Sequence, residues 1–284
     1  MSDRRKFLAN TLTGIAGITL LPAINTFAAA APGQTLQQTA KKLKLRFVLC
    51  SDLHYGQAGT DFDVNAANVV KWLNEEHVSN HLDMVIVNGD LVHNRPDLLT
   101  VVKEKYFDKI AIPYYTIPGN HDFADAAVWE KAFGYEDNYI IERGDIAFVL
   151  ANTADTKGAY VSPDQAFLKS AFDKLADKKM VFVILHIAPV QWLKEEASTF
   201  LNSPDTVALL HSYPNIKAVF HGHDHSLDGV RYTDKLPHFF DSHTGGNWGT
   251  DYKGYRVVEV GEDDQVYTYQ VNASRNPNLN GKKF

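Results

Sequence analysis

Only one of the 284 residues is cysteine. This excludes an internal disulfide and any zinc site built from several thiolates. The single thiol, Cys50, closes the apolar run Arg46-Phe47-Val48-Leu49-Cys50, where it reads as a buried strand residue and not as a nucleophile. Basic charge is also scarce: 28 Lys and Arg against 34 Asp and Glu give a formal net charge of -6. A nucleic-acid polymer, which needs a basic face, is therefore not an expected partner. Small phosphate esters stay open, because bound metal ions can supply the missing positive charge. No apolar run reaches the roughly 20 residues of a membrane span. Repeats, low-complexity tracts and internal linkers are absent too, while 45% hydrophobic and 12% aromatic content is enough for a large core.

Adjacent arginines in Ser2-Asp3-Arg4-Arg5-Lys6-Phe7-Leu8 precede an apolar stretch at residues 12–21, interrupted by Thr13, Gly14, Gly17 and Thr19. Small residues follow at Ala28-Ala29-Ala30-Ala31. This pattern resembles a twin-arginine signal, so residues 1–31 are expected to be cleaved and to send the folded protein to the periplasm or beyond, with no stable membrane anchor left. Residues 32–44 are polar and read as a surface lead-in. Residues 45–284 read as one α/β domain.

Within that domain short apolar strands alternate with helical spacing. Strands are expected at residues 46–50, 84–87, 114–117, 146–150, 180–185 and 216–220. Helices are expected at residues 64–80, over about a dozen residues from Pro96, at 163–175 and at 204–211. On the first helix Val69, Val70, Trp72 and Leu73 share the inward face, and on the third Phe167, Leu168, Phe172 and Leu175 do. The last sixty or so residues turn to β, at Phe239-Phe240, residues 255–260 and residues 266–271.

The polar residues at the strand ends point to chemistry. Phe220-His221-Gly222-His223-Asp224-His225 places three imidazoles at alternating positions just past a strand, with Gly222 expected to allow the sharp turn. Four other strand ends carry Asp52 with His54, Asp90, Asn120 with His121, and His186. Ligands of open α/β sheets bind at the carboxyl ends of the strands, which would gather all five groups on one edge. Asp52 and His54 would face the same side of an extended segment, with Leu53 packing behind. Imidazole, carboxylate and amide donors suit Zn, Mn or Fe better than Ca or Mg.

The motifs Asp52-Leu53-His54, Gly89-Asp90, Gly119-Asn120-His121-Asp122, His186 and Gly222-His223-Asp224-His225 together resemble the signature of the calcineurin-like metallophosphoesterases. The resemblance covers residues 45 to about 260. It implies a four-layer α/β/β/α sandwich with two central mixed sheets and a pair of divalent or mixed-valence transition-metal ions. It also implies that Asp52, His54 and His225 hold one ion, that Asn120, His186 and His223 hold the other, and that Asp90 bridges them. The expected reaction is hydrolysis of a small phosphate ester by metal-activated hydroxide, with His121 protonating the leaving group and Asp122 holding its ring.

Some positions depart from relatives within that superfamily. His93 stands where purple acid phosphatases place a metal-binding tyrosine, and Val92-His93-Asn94-Arg95 lacks the Asp-Arg-Gly of protein phosphatases. His186 is followed by Ile187, where many relatives have a second histidine. The resemblance thus favours phosphodiesters such as cyclic nucleotides, with phosphomonoesters or nucleotides as the alternative substrates and a non-catalytic scaffold as the alternative class. Asn94 and Arg95 are candidate phosphate contacts, and His93 and His221 are candidate partners of metal ligands. Trp248, in the Gly-rich segment His243-Thr244-Gly245-Gly246-Asn247-Trp248-Gly249, either stacks on an organic group or packs in the core. His77 and His81 read as surface residues. Oligomeric state is not legible.

Overall fold

A computed structural model describes residues 42–192, 200–275 and 281–283. The expected signal segment, residues 1–31, and most of the expected lead-in therefore lie outside the described residues.

In chain order the elements are β1 (Leu43–Cys50), α1 (Phe62–Asn80), β2 (Met84–Asn88), α2 (Leu99–Lys105), β3 (Tyr114–Ile117), α3 (Ala126–Phe133), β4 (Tyr139–Arg143) and β5 (Ile146–Leu150). They continue with α4 (Gln165–Lys174), β6 (Met180–Ile184), α5 (Pro204–His211), β7 (Ile216–His221), β8 (Val230–Thr233), β9 (Leu236–Phe240), β10 (Tyr255–Gly261), β11 (Val266–Val271) and β12 (Gly281–Lys283). Two six-stranded sheets result, ordered β12-β11-β10-β1-β2-β3 and β4-β5-β6-β7-β9-β8. Both are mixed: β1, β2 and β3 run parallel in the first and β5, β6, β7 and β9 in the second, with antiparallel strands at the margins.

The period of two along each strand sorts the core into layers. In β1, Leu45, Phe47 and Leu49 face the second sheet, where they meet Phe148, Phe182, Phe220 and Phe239. Val48 and Cys50 point the other way, into a layer with Val69, Val70 and Leu73 of α1 and Trp129 of α3. On the far side Leu168, Ala171 and Phe172 of α4 and Leu210 of α5 cover the second sheet. Helix, sheet, sheet, helix is the expected four-layer sandwich, and Cys50 is buried as the sequence implies. Strands buried on both faces must be almost wholly apolar, which accounts for runs such as Met180-Val181-Phe182-Val183-Ile184.

Several boundaries differ from the sequence reading. β1 starts at Leu43, inside the expected lead-in, and Lys44 already pairs with Asp145 at 3.1 Å. The segment after Pro96 is a 3-10 turn (Pro96–Leu98) followed by the seven-residue α2, not one continuous helix. α4 begins after Pro163, because the Asp164 carboxylate caps it by accepting from the Ala166 and Phe167 N–H groups. Trp72 and Phe167 are only half-buried. His81 is exposed as expected, but His77 is half-buried and accepts a hydrogen bond from the Leu82 N–H at 3.0 Å. α3, β4, β8 and β12 have no counterpart in the sequence reading.

Phe47 lies within 4.9–6.2 Å (ring centroids) of Phe148, Phe182 and Phe220 at the midplane between the sheets. Phe47→Ala is expected to lower unfolding free energy by about 3–5 kcal/mol in urea titration. Val78→Ala, at an 86% exposed position, is expected to change it by less than about 0.5 kcal/mol.

Candidate metal centre

The ends of β1, β2, β3, β6 and β7 bring their loops to one edge, and backbone hydrogen bonds lock the loops together. The Asp52 N–H donates to the Gly89 carbonyl at 3.0 Å and the His54 N–H to the Asp90 carbonyl at 2.9 Å. The Gly222 N–H donates to the His186 carbonyl at 3.1 Å. The His223 N–H reaches both oxygens of Asp52, at 3.0 and 3.1 Å.

Four of the expected ligands have left-handed backbone: Asp52 (φ 57°), His54 (φ 50°), Asp90 (φ 53°) and His223 (φ 63°). The Asp52-Leu53-His54 segment is thus not the extended strand end that alternation suggested. Each such residue costs on the order of 1–2 kcal/mol, and strain of this kind gathers where a function over-determines the backbone. Gly222 also plays a different part from the one expected. The left-handed turn falls on His223, while Gly222 provides space, since a Cβ there would lie 2.7 Å from Ser51 Cβ and 2.8 Å from Asp52 Oδ2.

The donor atoms of the expected ligands form two groups, beside a third cluster of imidazoles from His54, His93 and His121. Asp52, His54 and His225 offer one, with His225 Nε2 3.1 Å from Asp52 Oδ1 and 3.0 Å from His54 Nε2. Asp90, His186 and His223 offer the other, with His186 Nε2 3.3 Å from Asp90 Oδ2. The Asp90 carboxylate also lies 3.6 Å from His54 Nε2, so it borders both groups. The second ring nitrogens of His186 and His225 are anchored. His186 Nδ1 donates to the Asn88 carbonyl at 2.6 Å and His225 Nδ1 to the Trp248 carbonyl at 3.2 Å, which leaves both Nε2 lone pairs facing inward.

Two observations test whether this donor set fits cations. His186 Nε2, His223 Nε2 and Asn120 Oδ1 are buried without a hydrogen-bond partner among the described residues, which is costly for polar atoms unless something else engages them. The Asp52 and Asp90 carboxylates are buried, and their ion-pair partners among the described residues are histidines alone. Burial alone would raise Asp52, but the His225 and His186 imidazoles overcome it and hold the carboxyl down at about 2. Burial likewise opposes a proton on His186, yet the Asp90 and Asp52 carboxylates draw it up to about 9. His54 and His223 are pushed by burial to about 3 and 4 and stay neutral, the form that binds metal. The edge demands positive charge and presents imidazole lone pairs, carboxylates and an amide oxygen to receive it. The residues fit a pair of transition-metal ions.

Residues 45–227 match the family model described as calcineurin-like phosphoesterase. The chain belongs to the calcineurin-like phosphoesterase family. This family is a binuclear-metal enzyme type, in keeping with the two donor groups. Among curated proteins, a probable cyclic nucleotide phosphodiesterase of Fibrobacter succinogenes is 27% identical over 217 residues, covering 70% of this chain and 80% of that one. A 3',5'-cyclic-nucleotide phosphodiesterase of Nostoc is 26% identical over 157 residues, and that match spans 53% of this chain and 58% of the relative. In fold, the chain is similar to a dimetal phosphatase from Danio rerio, with a TM-score of 0.67 at 11% identity over 85% of this chain and 99% of that one.

Around this phosphoesterase centre, some expected roles change hands. Asp122 does not hold the His121 ring: its oxygens accept from the Gly119 N–H at 2.7 Å and the Val92 N–H at 2.9 Å, so it clamps the loop. Burial and the nearby Asp90 charge push its carboxyl up to about 8 against those two donors. Asn94 takes the ring instead, its Oδ1 accepting from His121 Nδ1 at 2.7 Å. Arg95 is exposed and makes its contacts with Asp97, at 2.6 and 2.8 Å. His93 does support a ligand, with its Nδ1 3.0 Å from His54 Nδ1, and its ring stacks on His121 at 4.7 Å. His221 instead holds backbone, donating to the Leu185 carbonyl at 2.9 Å, while its other nitrogen meets His238 Nδ1 at 2.9 Å. Trp248 is 42% exposed, not a core residue, and stacks on His225 at 4.3 Å with 6° between the planes.

Two neighbours of the ligands escaped the sequence reading as individual residues. His243 stacks on His225 at 4.9 Å, and Tyr160 packs edge-on against His223 at 5.0 Å. Tyr160 follows a turn made rigid by the Asp155 carboxylate, which accepts from the Lys157 and Ala159 N–H groups at 2.8 Å each. His243 opens the Gly-rich segment that holds Trp248 but carries no pattern of its own, and Tyr160 belongs to no motif, so the fold reveals both contacts.

Metal analysis of the purified protein is expected to find two transition-metal ions per chain. His223→Ala should retain about one, whereas Asp90→Ala, which removes the carboxylate bordering both groups, should retain fewer than one. Unchanged content in both variants would contradict the assignment of ligands.

Proposed function

We propose that this chain is an exported phosphodiesterase that hydrolyses small phosphate diesters such as cyclic nucleotides. Support for a diester comes from the relatives named as cyclic nucleotide phosphodiesterases, together with the complete donor set. Support for export is the twin-arginine pattern at Arg4-Arg5 and the small residues at Ala28-Ala29-Ala30-Ala31. No helix among the described residues is long and apolar enough to cross a membrane.

Asp52, His54 and His225 would hold one Mn, Fe or Zn ion and Asn120, His186 and His223 the second, with Asp90 between them. Ions bound there would supply the Lewis acidity that activates water and offsets charge at phosphorus. The chain's own residues do the rest. His93 fixes the His54 ring through its outer nitrogen. The Asn94 carbonyl oxygen accepts from His121 Nδ1, so the imidazolium form of the ring carries its second proton on Nε2, delivers it to the departing alkoxide and is left neutral. Asp90 Oδ1 accepts from the His121 N–H at 2.7 Å, so the acid is indexed to the carboxylate that borders both donor groups. That His121–Asn94 contact beside the donor groups is the observation that carries the reading, because a structural metal site has no use for an oriented proton donor.

His121→Ala is expected to cost about 100-fold or more in kcat for diesters with alkoxide leaving groups, but less than about tenfold for 4-nitrophenolate, which needs no proton. Asn94→Ala should show the same selectivity in milder form. Steady-state kinetics across a leaving-group series, with mono- and diesters in parallel, checks both claims. Equal losses for all leaving groups would remove the acid role.

A further inference from the structure

Gln57, Asn247 and Trp248 lie beside the centre and, apart from the Trp248 carbonyl that anchors His225, have no part in the chemistry above. Gln57 sits three residues past His54 in a turn closed by its own N–H to the His54 carbonyl at 3.1 Å. It is 8% exposed, and its Nε2 donates to Asn247 Oδ1 at 3.3 Å. With the two amides as they stand, that contact consumes one N–H and one carbonyl and leaves one carbonyl and three N–H groups over. Gln57 Oε1 is the carbonyl left over, buried without a hydrogen-bond partner among the described residues.

Trp248 follows Asn247 directly. One face of its indole lies on His225, its ring centroid is 4.8 Å from that of His54, and 42% of its surface stays exposed. Asn247 and Trp248 line a cavity of about 380 Å³ together with Gly246, Thr250 and Lys253. A Cβ on Gly246 would lie 3.1 Å from His225 Cε1 and 3.5 Å from His54 Cδ2, so this segment packs against the ligand rings, and Gln57, which does not itself line the cavity, adjoins it through its hydrogen bond to Asn247.

Building on the phosphodiester reading, we propose that these three residues recognise a nucleobase on the substrate. The base stacks on the indole, and its polar edge meets the Gln57–Asn247 amide pair. An unpaired buried carbonyl is costly, which suits a ligand that brings a donor to it. A flat group with a donor and an acceptor side by side on one edge describes a nucleobase, and paired amide donors and acceptors are the usual match for adenine. Stacking on an aromatic face combined with hydrogen bonds to the edge is also how unstacked bases are read in protein pockets. An aryl ester without such an edge would leave Gln57 unsatisfied.

Equilibrium calorimetry on the metal-loaded full chain tests this by comparing adenosine 5'-monophosphate with ribose 5-phosphate, which differ by the base alone. The wild type is expected to bind the nucleotide about tenfold or more tightly. Gln57→Leu and Trp248→Leu should each bring that ratio towards one, and Trp248→Phe should keep most of it. Equal affinities in the wild type, or a ratio unchanged in Gln57→Leu, would overturn the proposal. Gln57 touches no ligand side chain, so its variant decides the matter even if Trp248→Leu disturbs His225. Because the readout is binding, failure to hydrolyse diesters would defeat the proposed function while base preference is still measured.

Discussion

Two carboxylates without a fixed counter-charge govern this structure. Burying an isolated carboxylate costs several kcal/mol even after relaxation, and Asp52 and Asp90 are 0% and 1% exposed. A lysine or arginine would neutralise them permanently and close the site. The chain surrounds them with imidazoles instead, which can carry charge or give it up. Burial works against charging His186, and the two carboxylates win. The nitrogen that takes up that proton is the one that faces Asp90, so proton and metal compete for the same atom and metal uptake releases protons. Stability of this edge is therefore coupled to metal supply, which connects the electrostatics to the proposed export of a folded protein.

The backbone pays a second cost for the same end. Left-handed residues at Asp52, His54, Asp90 and His223 are tolerable because the strands behind them cannot move. Phe47, Phe148, Phe182 and Phe220 lock the two sheets face to face. Between these rings and the ligand edge the strand ends are pinned by main-chain bonds such as Asp52 to Gly89 and Gly222 to His186. A rigid sandwich thus stores strain in its loops, and the loops spend it on fixing ligand directions that relaxed geometry would not give.

The sequence shows the layers and the ligands, because both are written in local patterns. Buried strands such as Met180–Ile184 are apolar throughout, and the ligands follow strand ends at spacings that few other functions need. Contacts set by three-dimensional proximity are harder to read. Asp122 adjoins His121 and looks like its partner, yet the tight turn aims its carboxylate back at the Gly119 and Val92 amides. Asn94, 27 positions earlier, reaches the ring because the segment after β2 runs beside the segment after β3. Tyr160 and His243 come from connections whose course no periodicity encodes. The short strands β4 and β8 were missed for a related reason: they lie at sheet margins, are partly exposed and lack the unbroken apolar run of the central strands.

The exchange of roles between Asp122 and Asn94 also bears on how the acid works. The His121 ring is held by Asn94 at Nδ1, the stacked His93 on one face and His54 edge-on at 4.9 Å, while the Asp90 carboxylate accepts from its backbone N–H. With the Nδ1 proton committed to an amide oxygen, the imidazolium form hands over the proton on Nε2, and the stacked neighbour restrains rotation of the ring. A carboxylate at Nδ1 would orient the ring equally well, but it would add a third negative charge to an edge that already holds two. An uncharged partner supplies direction without adding to the charge that the rest of the edge is built to offset. Asp122, pushed by burial towards its neutral form, is suited to the remaining task of holding the loop. On this view the electrostatic demand set by Asp52 and Asp90 extends beyond the ligands and selects an amide to position the acid.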